Sequence, residues 1–264
     1  MFILVPFVAG FAVAAIVRKP ARILACGVCG VALCLLLLFF TGLEGYLCIL
    51  LASPLLASAM AVGAIIGYQI RGRIIDRMDG PGKKTMLLLL LCPFFIAAAD
   101  RIERPFRAMQ QHETFTTVTI VSIAPERTWD LLAQMHHLDG PRPFLLAIGL
   151  PVPQSCALDH EGIGGHRVCY FNSGVIEQEV TEWRRPSYMG LITRRNTLPG
   201  HHWLNFIDAS YELTSIDRHT HVVRKTTIGT RLYPRWYWRP LERWGVTSEH
   251  EYIFSNLQRW SQPN

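Results

Sequence analysis

Charge is scarce in this chain. Only 17% of its 264 residues are Asp, Glu, Lys or Arg, and half are hydrophobic. An ordinary globular domain is about a quarter charged, so the shortage points toward a membrane protein. No basic face, zinc-finger spacing or RNA-binding motif is present, so the net charge of +6 does not indicate a nucleic-acid partner. There is no GxSxG elbow, and no Ser-His-Asp set stands out. The paired histidines His136/His137, His201/His202 and His219/His221 have no Cys or carboxylate at a metal-ligand spacing, so neither metal nor cofactor is expected. The apolar runs contain no central charge, which leaves no sign of an ion path or proton relay. Cysteine is rare outside those runs. Cys26, Cys29, Cys34, Cys48 and Cys92 lie within them and behave as small hydrophobes. The CxxC of Cys26 and Cys29 has no redox-fold context.

What is present divides the chain in two. Residues 1–99 read as an all-α transmembrane region of about four helices, 2–17, 22–40, 46–70 and 85–99. The first lacks the basic flank of a signal peptide. Ala57, Ala61, Gly63 and Gly67 would let the third helix approach a neighbour closely. Arg18, Lys19 and Arg22 follow the first run, and Arg71, Arg73, Arg77, Lys83 and Lys84 follow the third. The loop Thr41–Gly45 has no basic residue. Positive loops stay cytoplasmic, so both termini and the C-terminal domain are expected outside. Arg101, Arg104 and Arg107 pull the other way. If the fourth run does not span, the domain is cytoplasmic. Residues 100–113 read as a juxtamembrane linker.

From residue 114 to 264 the pattern changes. Phe115–Ile123 is β-rich, and Pro125 opens a helix whose inner face is Trp129, Leu132, Met135 and His136. Phe144–Leu150 reads as a second small helix. Strands are expected at 154–160, 165–173, 175–183, 187–195, 202–214 and 221–230, separated by turn residues. This spacing implies an antiparallel meander. A long helical segment closes the chain, with Val246, Ile253, Leu257, Trp260 and His250 on one face. Gly245 suggests a break, with Ser248 and Glu251 as a capping box starting the second piece.

Two local runs carry a resemblance. Ser122-Ile123-Ala124-Pro125-Glu126-Arg127-Thr128-Trp129-Asp130-Leu131-Leu132 is similar to the strand-to-helix entry, and Glu161-Gly162-Ile163-Gly164-Gly165-His166-Arg167 to the Gly-rich turn, of the START-like, birch-pollen-allergen superfamily. That superfamily is also labelled SRPBCC or polyketide cyclase/dehydrase. The likeness covers residues 112–262 and implies an α+β helix-grip fold: a curved antiparallel seven-stranded sheet around a long C-terminal helix. It also implies a cavity for a hydrophobic small molecule, and its members range from lipid carriers to cyclases. The glycines join two strands and lack a P-loop lysine, so they are no phosphate loop.

Alternation places Trp203, Asn205, Ile207, Ala209, Tyr211 and Leu213 on one inner face. His250, Asn205, Trp203, Tyr170 and Gln178 are the ligand-binding candidates; a buried, hydrogen-bonded structural His250 is the alternative. Glu177 and Glu179 share a face with Thr181, read as the solvent face. The stretch Tyr233–Pro240 suits either a lipid headgroup region or an ordinary core. The leading expectation is membrane-anchored binding of a hydrophobic small molecule or lipid. The rivals are a cyclase, dehydratase or hydrolase with His250 as acid–base group, and a structural or interaction module. Finally, a hairpin centred between Gly162 and Ile163 sets Cys156 opposite Cys169, within reach of a disulfide. The alternative is two unlinked buried thiols.

Overall fold

The computed structural model describes residues 3–17, 19–41, 46–73, 93–98, 100–105, 110–217 and 219–261. The chain forms two units, Met1–Met109 and Gln110–Asn264. In the first, α1 (Leu4–Ile16), α2 (Pro20–Thr41) and α3 (Tyr46–Arg73) are followed by helical residues at 93–98 and 100–105. Glycine decides how α1 and α3 meet. A Cβ on Gly63 would overlap the Phe7 carbonyl, and one on Gly10 would overlap the Met60 carbonyl. Their backbones therefore touch, as small residues permit in apolar helix pairs. Charged groups complete both ends of α1: Leu4 N donates to Glu103 Oε1 at 2.8 Å, and Arg71 Nη1 donates to the Val17 carbonyl at 2.7 Å.

Among the described residues one helix, Leu47–Arg71, is long and apolar enough to cross a membrane; it has 25 residues, and its most apolar 18-residue stretch has a mean hydropathy of 2.2. Leu4–Ile16 and, within α2, the stretch Pro20–Leu33 are apolar and shorter. Most of the expected fourth run, 85–92 and 99, lies outside the described residues.

The second unit is a seven-stranded antiparallel sheet in the order β1-β7-β6-β5-β4-β3-β2. Its strands are β1 (Gln111–Val121), β2 (Pro153–Leu158), β3 (His166–Phe171), β4 (Gly174–Arg184), β5 (Tyr188–Asn196), β6 (Leu204–Ile216) and β7 (His219–Thr230). Helices α4 (Pro125–Ala133) and α5 (Phe144–Ala147) carry the chain from one sheet edge to the other, and α6 (Arg235–Trp260) closes it. This is the helix-grip arrangement. Register shifts in the β2/β3, β4/β5 and β6/β7 pairs are bulges, which bend and twist strands locally. β1 starts before the boundary expected at residue 114, because Gln111 already pairs with Thr230.

The core lies between the sheet and its helices. Trp129, Leu132, Tyr211, Val222, Tyr252 and Leu257 are all essentially inaccessible. Met135 joins them from beyond the end of α4, where its N–H and carbonyl bond to Cys156; His136 is exposed instead. Gly140 permits a close approach. A Cβ there would lie 2.9 Å from both amide atoms of the Asn256 side chain, whose Oδ1 accepts from Gly140 N at 2.8 Å.

One expectation is corrected. The closing helix does not break at Gly245; α6 runs unbroken for 26 residues, with Ser248 buried in mid-helix rather than capping an end. Helix on both sides of Gly245 is tied to the sheet, by Glu242 to Thr230 and by His250 to Thr226. Those contacts outweigh the roughly 1 kcal/mol helical cost of a glycine.

Cys156 and Cys169 face each other in the β2/β3 register and are disulfide-bonded, with Cα atoms 4.0 Å apart. Cys156 gives both backbone groups to Met135. It is therefore not hydrogen-bonded to Cys169, and this is the pair type in which opposed residues come closest. Thiol labelling of the denatured, non-reduced protein should leave both residues unmodified until reductant is added. Cys156→Ser with Cys169→Ser should lower the stability of the second unit by about 3 kcal/mol, the scale for so short a loop.

Candidate functional site

The inner face of β7 is the starting point. Thr220, Val222, Arg224, Thr226, Ile228 and Thr230 alternate inward and are buried. Against them α6 presents Glu242, Val246, Glu249, His250, Ile253 and Leu257 at helical spacing, also buried. Polar residues of the strand meet polar residues of the helix. Thr230 Oγ1 donates to Glu242 Oε1 at 2.7 Å, and Arg235 grips both oxygens of Glu242 at 2.8 Å. His250 lies farther along, completely buried. Its Nε2 is 2.8 Å from Thr226 Oγ1 and its Nδ1 2.9 Å from Thr117 Oγ1. A neutral imidazole donates through one nitrogen and accepts through the other, and a hydroxyl serves either role. Both ring nitrogens are thus occupied. Burial, and then the nearby Arg224 charge, hold the ring's pKa well below 6.5.

Beside this seam, residues of the sheet and of α6 line a partly open cavity of about 30 Å³. Its walls include Phe171, Ile176, Phe206, Ala209, Ile253 and the Cys156–Cys169 pair, with Arg167, Gln178, Arg224, Thr226 and Glu249 among them. Arg167 Nη1 donates to Gln178 Oε1 at 3.0 Å and its Nη2 to the Leu132 carbonyl at 3.1 Å. That carbonyl belongs to the last turn of α4, where a cation is favoured. Arg224 meets Glu249 end-on. Its Nη2 donates to Oε1 at 3.1 Å and lies 2.9 Å from Oε2, which takes charge pairing without a hydrogen bond. Burial pulls the Arg167 guanidinium below the usual arginine range, with the Arg224 charge adding to it and Tyr211 opposing. Burial acts the same way on Arg224, but Glu249 and Tyr211 outweigh it and the net shift is upward.

Of the residues expected at a site, Gln178 lines the cavity and the others do not. The bulge between Phe206 and Asp208 is the reason for Asn205. It shifts the alternation by one, so Phe206 joins Ala209, Tyr211 and Leu213 on the inner side. Asn205 instead takes a bond from Asn196 Nδ2 at 2.9 Å, joining β6 to the end of β5. Trp203 lies in the turn before β6. Tyr170 neighbours Cys169 along β3 and is exposed, since adjacent strand residues face opposite ways. Sequence reasoning passed over Arg167, Arg224 and Glu249. Arg167 carried a usable signal, being two residues from Cys169 and so on the same face.

No family model matches the chain, and no curated protein matches it. Similar solved structures include a START superfamily protein from Mycobacterium smegmatis, 10% identical with a TM-score of 0.42, covering 57% of this chain and 97% of that one. Another is ginseng major latex-like protein 151 from Panax ginseng, 11% identical with a TM-score of 0.41, covering 58% of this chain and 99% of that one. The helix-grip description rests on the strand order and the closing helix.

His250→Ala should destabilise the second unit by about 2–4 kcal/mol, since it opens a void and leaves the buried Thr226 hydroxyl and the half-buried Thr117 hydroxyl unpartnered. Urea denaturation of the purified chain, followed by tryptophan fluorescence, measures this. The pH dependence has a definite sign. A histidine whose folded pKa is depressed binds its proton in the unfolded state first, so stability is complete above the ordinary value of 6.5 and falls as pH drops below it. The denaturation midpoint should fall between pH values of about 7 and 5, and by less in His250→Gln.

Proposed function

We propose that the chain is a membrane-anchored binder of a hydrophobic small molecule or lipid, held between the sheet and α6. The observation that carries this reading is the cavity itself: a partly open, largely apolar space with a few polar groups, the usual make-up of a small-molecule site. Ligand pockets usually measure roughly 300–1,000 Å³, so this reading requires the 30 Å³ space to widen when a ligand enters. His250 supports binding over acid–base catalysis, because it is fully buried with both ring nitrogens engaged and lies outside the cavity wall.

The anchor is a multi-pass bundle in this reading, with both termini outside. Supporting it are the span-length helix Leu47–Arg71, the glycine-mediated contact of α1 with α3, and the basic residues of the first and third loops. Leu24, Val28, Leu33 and Ile65 also leave large apolar side chains uncovered, as lipid-facing helices do. The Cys156–Cys169 bridge agrees with an extracytoplasmic domain, since such bonds persist outside the cytosol and are rare within it. Trp236 is the most exposed large hydrophobic side chain among the described residues of the second unit and suits a headgroup contact.

Native mass spectrometry of the detergent-extracted chain tests the binding reading. An apolar small molecule should accompany the folded protein and leave on denaturation; a chain that carries none is not a binder. A periplasmic-type reporter fused after residue 110 should be active, and cytoplasmic activity there overturns the proposed orientation.

A further inference from the structure

The cavity has one positive charge more than its own residues neutralise. Arg167 and Arg224 both line it and are 2% and 7% exposed, while Glu249 is the one buried carboxylate among the lining residues. Asp208 also borders the cavity, but it pairs with Thr227 and Ile192 on the strand face opposite Ala209, and its side chain is exposed. His250 is neutral and bonded to two threonines. The end-on contact with Glu249 leaves Arg224 Nε and Nη1 without a partner, and Arg167 Nε has none either. Three guanidinium nitrogens are therefore buried, charged and unpaired at one small space. Burying an unpaired cation is among the costlier arrangements a fold can contain, and a counter-anion relieves it.

We propose that the cavity holds the carboxylate of an apolar-tailed carboxylic acid, gripped by Arg167 and Arg224; this rests on the binding reading above. A carboxylate supplies the one negative charge that is missing, and its two oxygens match guanidinium donors in plane. A phosphate monoester brings close to two charges at neutral pH, more than the site lacks. The remaining wall determines the tail: Phe171, Ile176, Phe206 and Ile253 offer only hydrocarbon. Glu249 competes with the ligand for Arg224 and so moderates its affinity.

The test uses the full chain in a non-ionic detergent and three photoactivatable twelve-carbon probes, an acid, an alcohol and a phosphate, identical apart from the headgroup. Crosslinked peptides are mapped by mass spectrometry. The acid should label β3, β4 or α6 about tenfold more strongly than the alcohol, the scale of one charge-assisted hydrogen bond. Arg167→Gln should remove most of that preference, and Glu249→Gln should strengthen acid labelling by freeing Arg224. Equal labelling by acid and alcohol overturns the anionic anchor while leaving the apolar-cavity reading in place. Labelling by none of the probes overturns both. Stronger labelling by the phosphate than by the acid overturns the assignment to a carboxylate. The comparison of probes on the unmodified chain needs no variant, so it decides the matter even if Arg167→Gln does not fold.

Discussion

Everything in the second unit depends on one seam, where polar residues buried on β7 must find partners on α6. A strand that turns Arg224, Thr226 and Thr230 inward is unstable unless something buried answers each of them. The helix answers with Glu249, His250 and Glu242. Because the partners are specific, the seam fixes the register of helix on strand as apolar packing alone does not. Val246 can then sit against Phe115 and Ile228, while Ile253 and Leu257 reach the main core. It also explains why α6 continues through Gly245: both halves are fastened to the same strand.

The architecture was legible because it is written in periods. Alternation and turn residues located every strand within a few positions, and helical spacing found the buried face of α6. Individual site residues were less legible, for two physical reasons. First, the bulge near Phe206 changes which side chains face inward without changing composition, so Asn205 read as an inner residue and Phe206 as an outer one. Second, β7 is mixed on both faces: Lys225 and Thr227 alternate with Arg224 and Thr226, and nothing in such a string says which set is buried. The helical break was misread because Gly245 and a capping-box pattern are local signals, and the contacts that override them come from residues far away in sequence.

Arg167 and Arg224 show how the fold treats two guanidiniums differently. Arg167 lies against the last turn of α4 and the Gln178 amide, neutral groups that offer dipoles and no charge. Arg224 has a full counter-charge but meets it through one nitrogen. Both line the same cavity and keep buried donors without a partner. A purely structural core of this size would more simply use apolar residues, which often give equal or greater stability than buried ion pairs.

The backbone bonds between Met135 and Cys156, together with Leu138 N donating to the Gln154 carbonyl at 2.8 Å, have a consequence for how copies of this domain can meet. An open sheet has two free margins, and each is a template for another chain's strand. Here the β2 margin is already taken by the segment that follows α4. The β1 margin is eleven residues long, and among the described residues it is met by a side chain at Ile120, whose carbonyl lies 3.4 Å from Gln258 Nε2. A sheet with one available margin can join a second copy edge to edge, but the pair then has no margin left. Head-to-tail growth into a fibre requires two, so strand addition at the β1 margin alone would give a pair and not a fibre.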